Sequence, residues 1–185
     1  MAKPVLQFQD LLALSDRDLL RAEAERWPAA LTLPQAQQLA ARAAELSPER
    51  PPLRLGVVHT YTSDLLNPWL NLAATLAGFQ IETYHAPYGL ALDQAETGSA
   101  LLRHQPDLTL LMLRREDLHP GLAQPITGLP EAERLALRQA CLARLAEIVG
   151  RFRAQPVGQI LLSLLPSTTP ATLGLFDSQA EGSEA

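Results

Sequence analysis

Residues 54–64 read RLGVVHTYTSD and residues 107–117 read DLTLLMLRRED, two short apolar runs that each end abruptly in hydroxyls, a histidine or charges. That is how a parallel strand, buried on both faces, looks as it reaches the edge of its sheet. Between the two lies a helix-sized stretch and a further apolar run, Phe79–Tyr84. A fourth run, Gln159–Leu164, follows a long amphipathic segment. Strands that alternate with helical patterns over short links predict a parallel sheet with right-handed crossovers, an α/β domain of three layers. In such sheets ligands bind at the carboxyl ends of the strands, which directs attention to His59–Asp64 and Arg114–Asp117.

Outward from these strands, residues 1–52 are rich in Ala, Leu, Arg and Glu and read as a helical extension and linker. Ser15 with Asp18, and Thr32 with Gln35, have capping-box spacing. Leu20, Ala24 and Trp27 form the stripe of one helix, ended by Trp27-Pro28; Leu39, Ala43 and Leu46 form that of the next. Neither helix can bury its stripe alone. Asn67-Pro68 supplies a cap and a first-position proline for the helix after the first strand, Trp69, Leu72 and Leu76 share its face, and Gly78 stops it. The long helix runs from Glu131 to about Phe152, with Leu135, Leu142, Leu145, Val149 and Phe152 at helical spacing and Cys141 on its apolar side. The α/β domain spans residues 53–178, and residues 179–185 read as a disordered acidic tail. Because the chain stops just after its fourth strand, it reads as one domain of a longer polypeptide.

The composition limits the function classes. With 185 residues, 47% of them hydrophobic, there is material for one ordinary core. A net charge of −5 and a pI near 5.3, with Lys3 the single lysine, argue against nucleic acid or an anionic membrane as partner. One cysteine excludes an internal disulfide and a cysteine-based zinc site, and no leader-like or membrane-spanning run occurs; a cytoplasmic location is the expectation.

Chemistry can be sought in two turns. Ser63 or Thr62, with His59 as base, are the candidate nucleophiles, weighed against the plainer reading that Thr62, Ser63 and Asp64 cap the next helix. Thr60, Tyr61, Tyr88, Arg114, Arg115 and Asp117 are candidate ligand- or partner-binding residues, the arginines as clamps for a phosphate, a carboxylate or an acidic protein face. Strand-end charges facing water are the plainer reading there. His59, His85, His104 and His119 show no metal-ligand spacing, and no metal site or cofactor is expected in this chain.

The series Tyr61, Thr62, Ser63, Leu65, Leu66, then Gly78, then Tyr84, Pro87 and Tyr88, then Ser99, Leu101, Pro106 and Asp107 resembles the N-terminal domain of FkbH-like proteins. Pro166, Leu173 and Gly174 extend the likeness over roughly residues 53–178. The resemblance implies a fold of the SGNH or flavodoxin type, here with a two-helix N-terminal extension, and a setting in polyketide assembly. In that family a C-terminal haloacid-dehalogenase-type domain transfers a glyceryl unit from bisphosphoglycerate to an acyl carrier protein. Its aspartate-rich site, for which Mg2+ is expected, has no counterpart in these residues. His59 stands where a glycine is usual, Gly89 follows Tyr88, and Arg114-Arg115-Glu116-Asp117 replaces the Gly-x-Asn-Asp of an SGNH hydrolase. No histidine follows His119 to serve as its general base. The resemblance with these departures implies an accessory domain that docks an acyl carrier protein or the adjacent catalytic domain. The alternatives are an active acyl- or phosphotransferase or esterase using Ser63 or Thr62, and a scaffold that forms a homodimer through residues 15–46.

Overall fold

A computed structural model describes residues 7–26, 30–87, 89–123, 126 and 128–164. It contains seven α-helices and four strands among those residues: α1 Phe8–Leu12, α2 Arg17–Glu25, α3 Leu33–Leu46, β1 Pro52–His59, α4 Asn67–Leu76, β2 Gln80–His85, α5 Ala100–His104, β3 Leu108–Leu113, α6 Arg115–Leu118, α7 Glu131–Arg153 and β4 Gln159–Leu164. The strands form one parallel sheet flanked by helices, in the order β2-β1-β3-β4. This is the expected α/β class, and its strand order is the flavodoxin-like one, with the change of direction falling between β1 and β3. Two compact units divide the chain, Met1–Leu55 with Ser63–Thr83, and Gly56–Thr62 with Tyr84–Ala185.

In the first unit the amphipathic helices solve their burial problem together. Leu11 of α1, Leu20 of α2, and Ala36, Leu39, Ala40 and Ala43 of α3 close on Leu72 of α4 in one apolar cluster. A one-turn helix, α1, thus precedes the two helices expected. Arg42 of α3 donates through Nη2 and Nε to the Leu14 carbonyl, at 2.8 and 3.2 Å, fixing the link between α1 and α2. The cap of α2 is Asp16, whose carboxylate accepts from the Leu19 amide at 2.8 Å, not the expected Ser15. Both are cap-forming residue types, so spacing alone does not separate neighbours. At α3 the expected partners do meet, the Thr32 amide donating to Gln35 Oε1 at 2.9 Å. Asn67 is the first residue of α4 instead of its cap, because a 3-10 turn at Asp64–Leu66 precedes it. Gly78 ends α4 with φ +88°, and the Gly78 and Phe79 amides return to the Thr75 and Ala74 carbonyls at 3.0 and 2.8 Å. That pair of bonds is a Schellman motif, which only a residue at ease with positive φ completes cheaply. Trp27 and Pro28 lie outside the described residues.

The second unit has its own core, built from Val58, Leu101, Leu111, Leu113, Ile148, Phe152 and Val157. The parallel register runs from Leu108 opposite Gln159 to Leu113 opposite Leu164. Its start is held by Gln159 N donating to the Asp107 carbonyl at 2.9 Å and by Thr109 Oγ1 donating to the Val157 carbonyl at 2.6 Å. Helix α7 buries Leu137, Ile148 and Phe152, while Leu135 and Leu142 are 49% and 56% exposed, contrary to the face expected. At about 100° per residue those two leucines sit roughly 120–140° round the helix from Ile148. The apolar residues of α7 occupy more than one face, and packing selected one.

The junction before β4 allows no side chain. Gly158 has φ +66°, and a Cβ there would lie 2.2 Å from the Asp107 carbonyl oxygen. Gly158→Ala should therefore cost about 2–4 kcal/mol, the left-handed penalty plus the clash. A circular dichroism melt should show this as a loss of at least about 5 °C. Gly150→Ala, at an exposed position of α7 with open space around it, should instead raise the melting temperature by up to about 4 °C.

Candidate functional site

The carboxyl ends of β1 and β3 are joined by hydrogen bonds. The Thr60 amide donates to the Met112 carbonyl at 3.2 Å, which sets the residue after β1 beside the end of β3. From there the Thr60 hydroxyl donates to Asp117 Oδ2. The Arg114 amide reaches both, at 3.3 Å from Thr60 Oγ1 and 3.0 Å from Asp117 Oδ2. The Arg114 guanidinium closes a fork on the same carboxylate, Nη2 to Oδ1 at 3.1 Å and Nε to Oδ2 at 3.3 Å. Three candidate residues named from the sequence, Thr60, Arg114 and Asp117, thus form one knot. Helix α6 explains its local geometry: Arg114 is the cap position and Asp117 the third helical residue, so the carboxylate folds back on the amide that starts the turn.

Burial acts to push the Asp117 carboxyl up, but the bonds from Arg114 and Thr60 and the nearby guanidinium charge outweigh it and hold the group below the usual carboxylate range. Asp117 is therefore ionised at neutral pH, with its oxygens occupied by donors, a poor general base.

The other candidates are placed differently. His59 is buried, 5% exposed, and its Nδ1 lies against the Tyr61 carbonyl. A carbonyl only accepts, so Nδ1 carries the proton, and in the neutral ring Nε2 holds the lone pair. Among the described residues Nε2 has no hydrogen-bond partner, and the His85 ring stands edge-on with centroids 5.8 Å apart. The Tyr61 hydroxyl is buried and has no partner among the described residues either, and burial pushes its pKa up. Ser63 is 1% exposed and stands at the cap position of the Asp64–Leu66 turn, its carbonyl accepting from the Leu66 amide at 2.9 Å. Thr62 is exposed and Arg115, the first residue of α6, is half-buried. Tyr88 lies outside the described residues. Cys141 is half-buried, and burial raises its thiol pKa. Among the described residues no group of three or more His, Cys, Asp or Glu could hold a metal ion, and no helix is long and apolar enough to cross a membrane.

A cleft of about 250 Å³ opens beside the knot, lined by Thr60, Arg114 and Asp117 together with Gly89, Ala91, Leu92, Leu113, Arg144 and Ile148. The wall from Gly89 to Leu92 is held in place by Gln94, which is 6% exposed. Gln94 Oε1 accepts from the Tyr84 hydroxyl at 2.9 Å and from the Leu101 amide at 3.3 Å, and its carbonyl accepts from the Ser99 hydroxyl at 2.8 Å. Arg144 and Leu92 were not among the residues singled out from the sequence. Arg144 precedes the buried Ile148 by one helical turn, so periodicity places it next to the core, the one signal available.

No family model matches the sequence, and no curated protein matches it. The fold is similar to the crystal structure of the N-terminal part of the protein BF1531 from Bacteroides fragilis, which contains a phosphatase domain and was solved with Mg. The TM-score is 0.55 at 16% identity, and the match covers 83% of this chain and 38% of that one. This chain therefore spans well under half of that structure, and the likeness is one of fold.

The knot makes a pH-dependent contribution to stability. Because the folded carboxyl of Asp117 is depressed, its contribution is fully present above the unfolded value of about 3.9 and is lost as pH falls through the lower folded value. Asp117→Asn should cost about 1.5–3 kcal/mol at pH 7 by urea unfolding. That difference from the parent chain should stay constant above about pH 5 and shrink steadily below about pH 4. A difference that stays the same in acid would mean the carboxylate charge contributes nothing.

Proposed function

We propose that this chain is the N-terminal α/β domain of an FkbH-type protein, an accessory module that docks an acyl carrier protein or the adjacent phosphatase domain and does not itself turn over substrate. Two observations support the setting. The residue series from Tyr61 to Asp107 resembles FkbH-like proteins, and the fold is similar to the N-terminal part of a protein that contains a phosphatase domain. The observation that carries the accessory role is the knot itself: Asp117 and Thr60 satisfy one another and Arg114. A hydrolytic or transfer site needs a nucleophile, a base within hydrogen-bond reach of it, and an orienting acid. Here Ser63 is buried, no hydroxyl among the described residues donates to His59 Nε2, the ring nitrogen that would act as base, and Asp117 orients an arginine instead of an imidazole.

The reading has a direct test. The chain is mixed with bisphosphoglycerate and a phosphopantetheinylated carrier protein, and the carrier is weighed by mass spectrometry while its association with the chain is followed by surface plasmon resonance. The expected result is a saturable association and a carrier of unchanged mass. A mass increase matching a glyceryl unit, lost in Thr62→Ala or Ser63→Ala, would overturn the accessory role in favour of a transferase.

A further inference from the structure

Helix α7 carries an exposed apolar face that is its own complement, and we propose that it pairs with the same face of a second copy of this chain, antiparallel and centred on Leu142. This goes beyond the docking role and does not depend on it. Leu142 and Leu135 are 56% and 49% exposed, the most exposed large apolar residues of α7. At about 100° per residue, Glu131, Leu135, Val149 and Arg153 lie within about 20° of Leu142 round the helix axis, with Arg138 and Ala146 about 40° to either side. The core-facing Ile148 and Phe152 lie about 80–120° away, so packing within the chain and pairing with a second copy use different faces. Leu142, Ala146, Val149 and Arg153 follow one another at steps of four, three and four, the spacing of a two-helix seam. At its far end the seam meets more apolar surface, since Val149 and Arg153 line a groove shared with the exposed Leu162 of β4.

The charges select the occupant. Two copies paired antiparallel about a two-fold axis through Leu142 set residues equally far from it opposite each other. Leu135, seven residues before, meets Val149 of the second copy, seven after; Glu131, eleven before, meets Arg153, eleven after. Each end of the seam thus closes on one acid and one base, and the two helix dipoles oppose. Neither Glu131 nor Arg153 has an ion pair among the described residues, whereas Arg144 and Arg151, on the other side of the helix, are occupied by Glu147 and Glu96. Arg138 falls opposite Ala146 of the second copy, whose small side chain leaves room for the arginine stem. A parallel pairing would instead set Glu131 against Glu131 and Arg153 against Arg153, which like charges oppose.

The test is sedimentation velocity on the full chain over a range of about 1 to 200 μM, which brackets the affinity expected. One helix per copy makes an interface at or below the ~1,200 Å² lower end for specific complexes, so a monomer–dimer equilibrium with Kd on the order of 10 μM is expected. Leu142→Gln, at an exposed position, should weaken it at least about tenfold while the melting temperature of the dilute chain holds. Glu131→Arg should weaken it about fivefold, and adding Arg153→Glu to the same chain should restore it. With Cys141→Ala removing the native thiol, Leu142→Cys should give a disulfide-linked dimer on mild oxidation, whereas Leu135→Cys should not, because the two copies of that position lie about 21 Å apart along the axis. A monomer at every concentration would overturn the proposal. So would a dimer indifferent to Leu142→Gln, which would use another face, or a disulfide formed as readily by Leu135→Cys, which would mean parallel helices. All of these readouts concern self-association and none bears on carrier association, so the two readings fail separately.

Discussion

The Thr60 hydroxyl donating to the Asp117 carboxylate is the contact on which this part of the molecule turns. It bridges residues 57 apart in sequence and joins the turn after β1 to the turn after β3. Each of its partners is tied down elsewhere: Thr60 through its amide to β3, Asp117 through Arg114 and the start of α6. A partly buried carboxylate is costly when left alone and strong when several donors converge on it. Removing any one donor therefore leaves a charge that the remaining ones satisfy less well.

The knot also shapes its surroundings. Arg114 and Asp117, held together at the end of β3, line a cleft together with Gly89, Ala91, Leu92 and with Arg144 and Ile148 of α7.

Much of this was legible in the sequence, and the misses have physical causes. Strand β3 occupies Leu108–Leu113, the run bounded by Pro106-Asp107 and Arg114, because punctuation and hydrophobicity agree there. The strand-end rule directed attention to both turns, since buried parallel strands expose their polar residues at the sheet edge. The contact between Thr60 and Asp117 was not legible, because periodicity says nothing about which residues of two distant turns meet. The cap of α2 moved from Ser15 to Asp16 because adjacent residues of similar chemistry compete. The face of α7 was legible in part: Phe152 is in the core with Leu145 and Val149 packed against it, as the spacing suggests, whereas Leu135 and Leu142 are exposed and Leu137 is buried, because the leucines of α7 occupy more than one face. Arg144 escaped notice because an arginine among alanines reads as a solvated position.

The most direct measurement of the central contact is a double-mutant cycle on Thr60 and Asp117. Unfolding free energies would be compared for the parent chain, Thr60→Val, Asp117→Asn and the double variant. The account predicts a coupling energy of about 1–2 kcal/mol at pH 7, the double variant being less destabilised than the sum of the single ones. Additive effects, with coupling under about 0.3 kcal/mol, would contradict it and mean that the two turns are held together by something other than this bond.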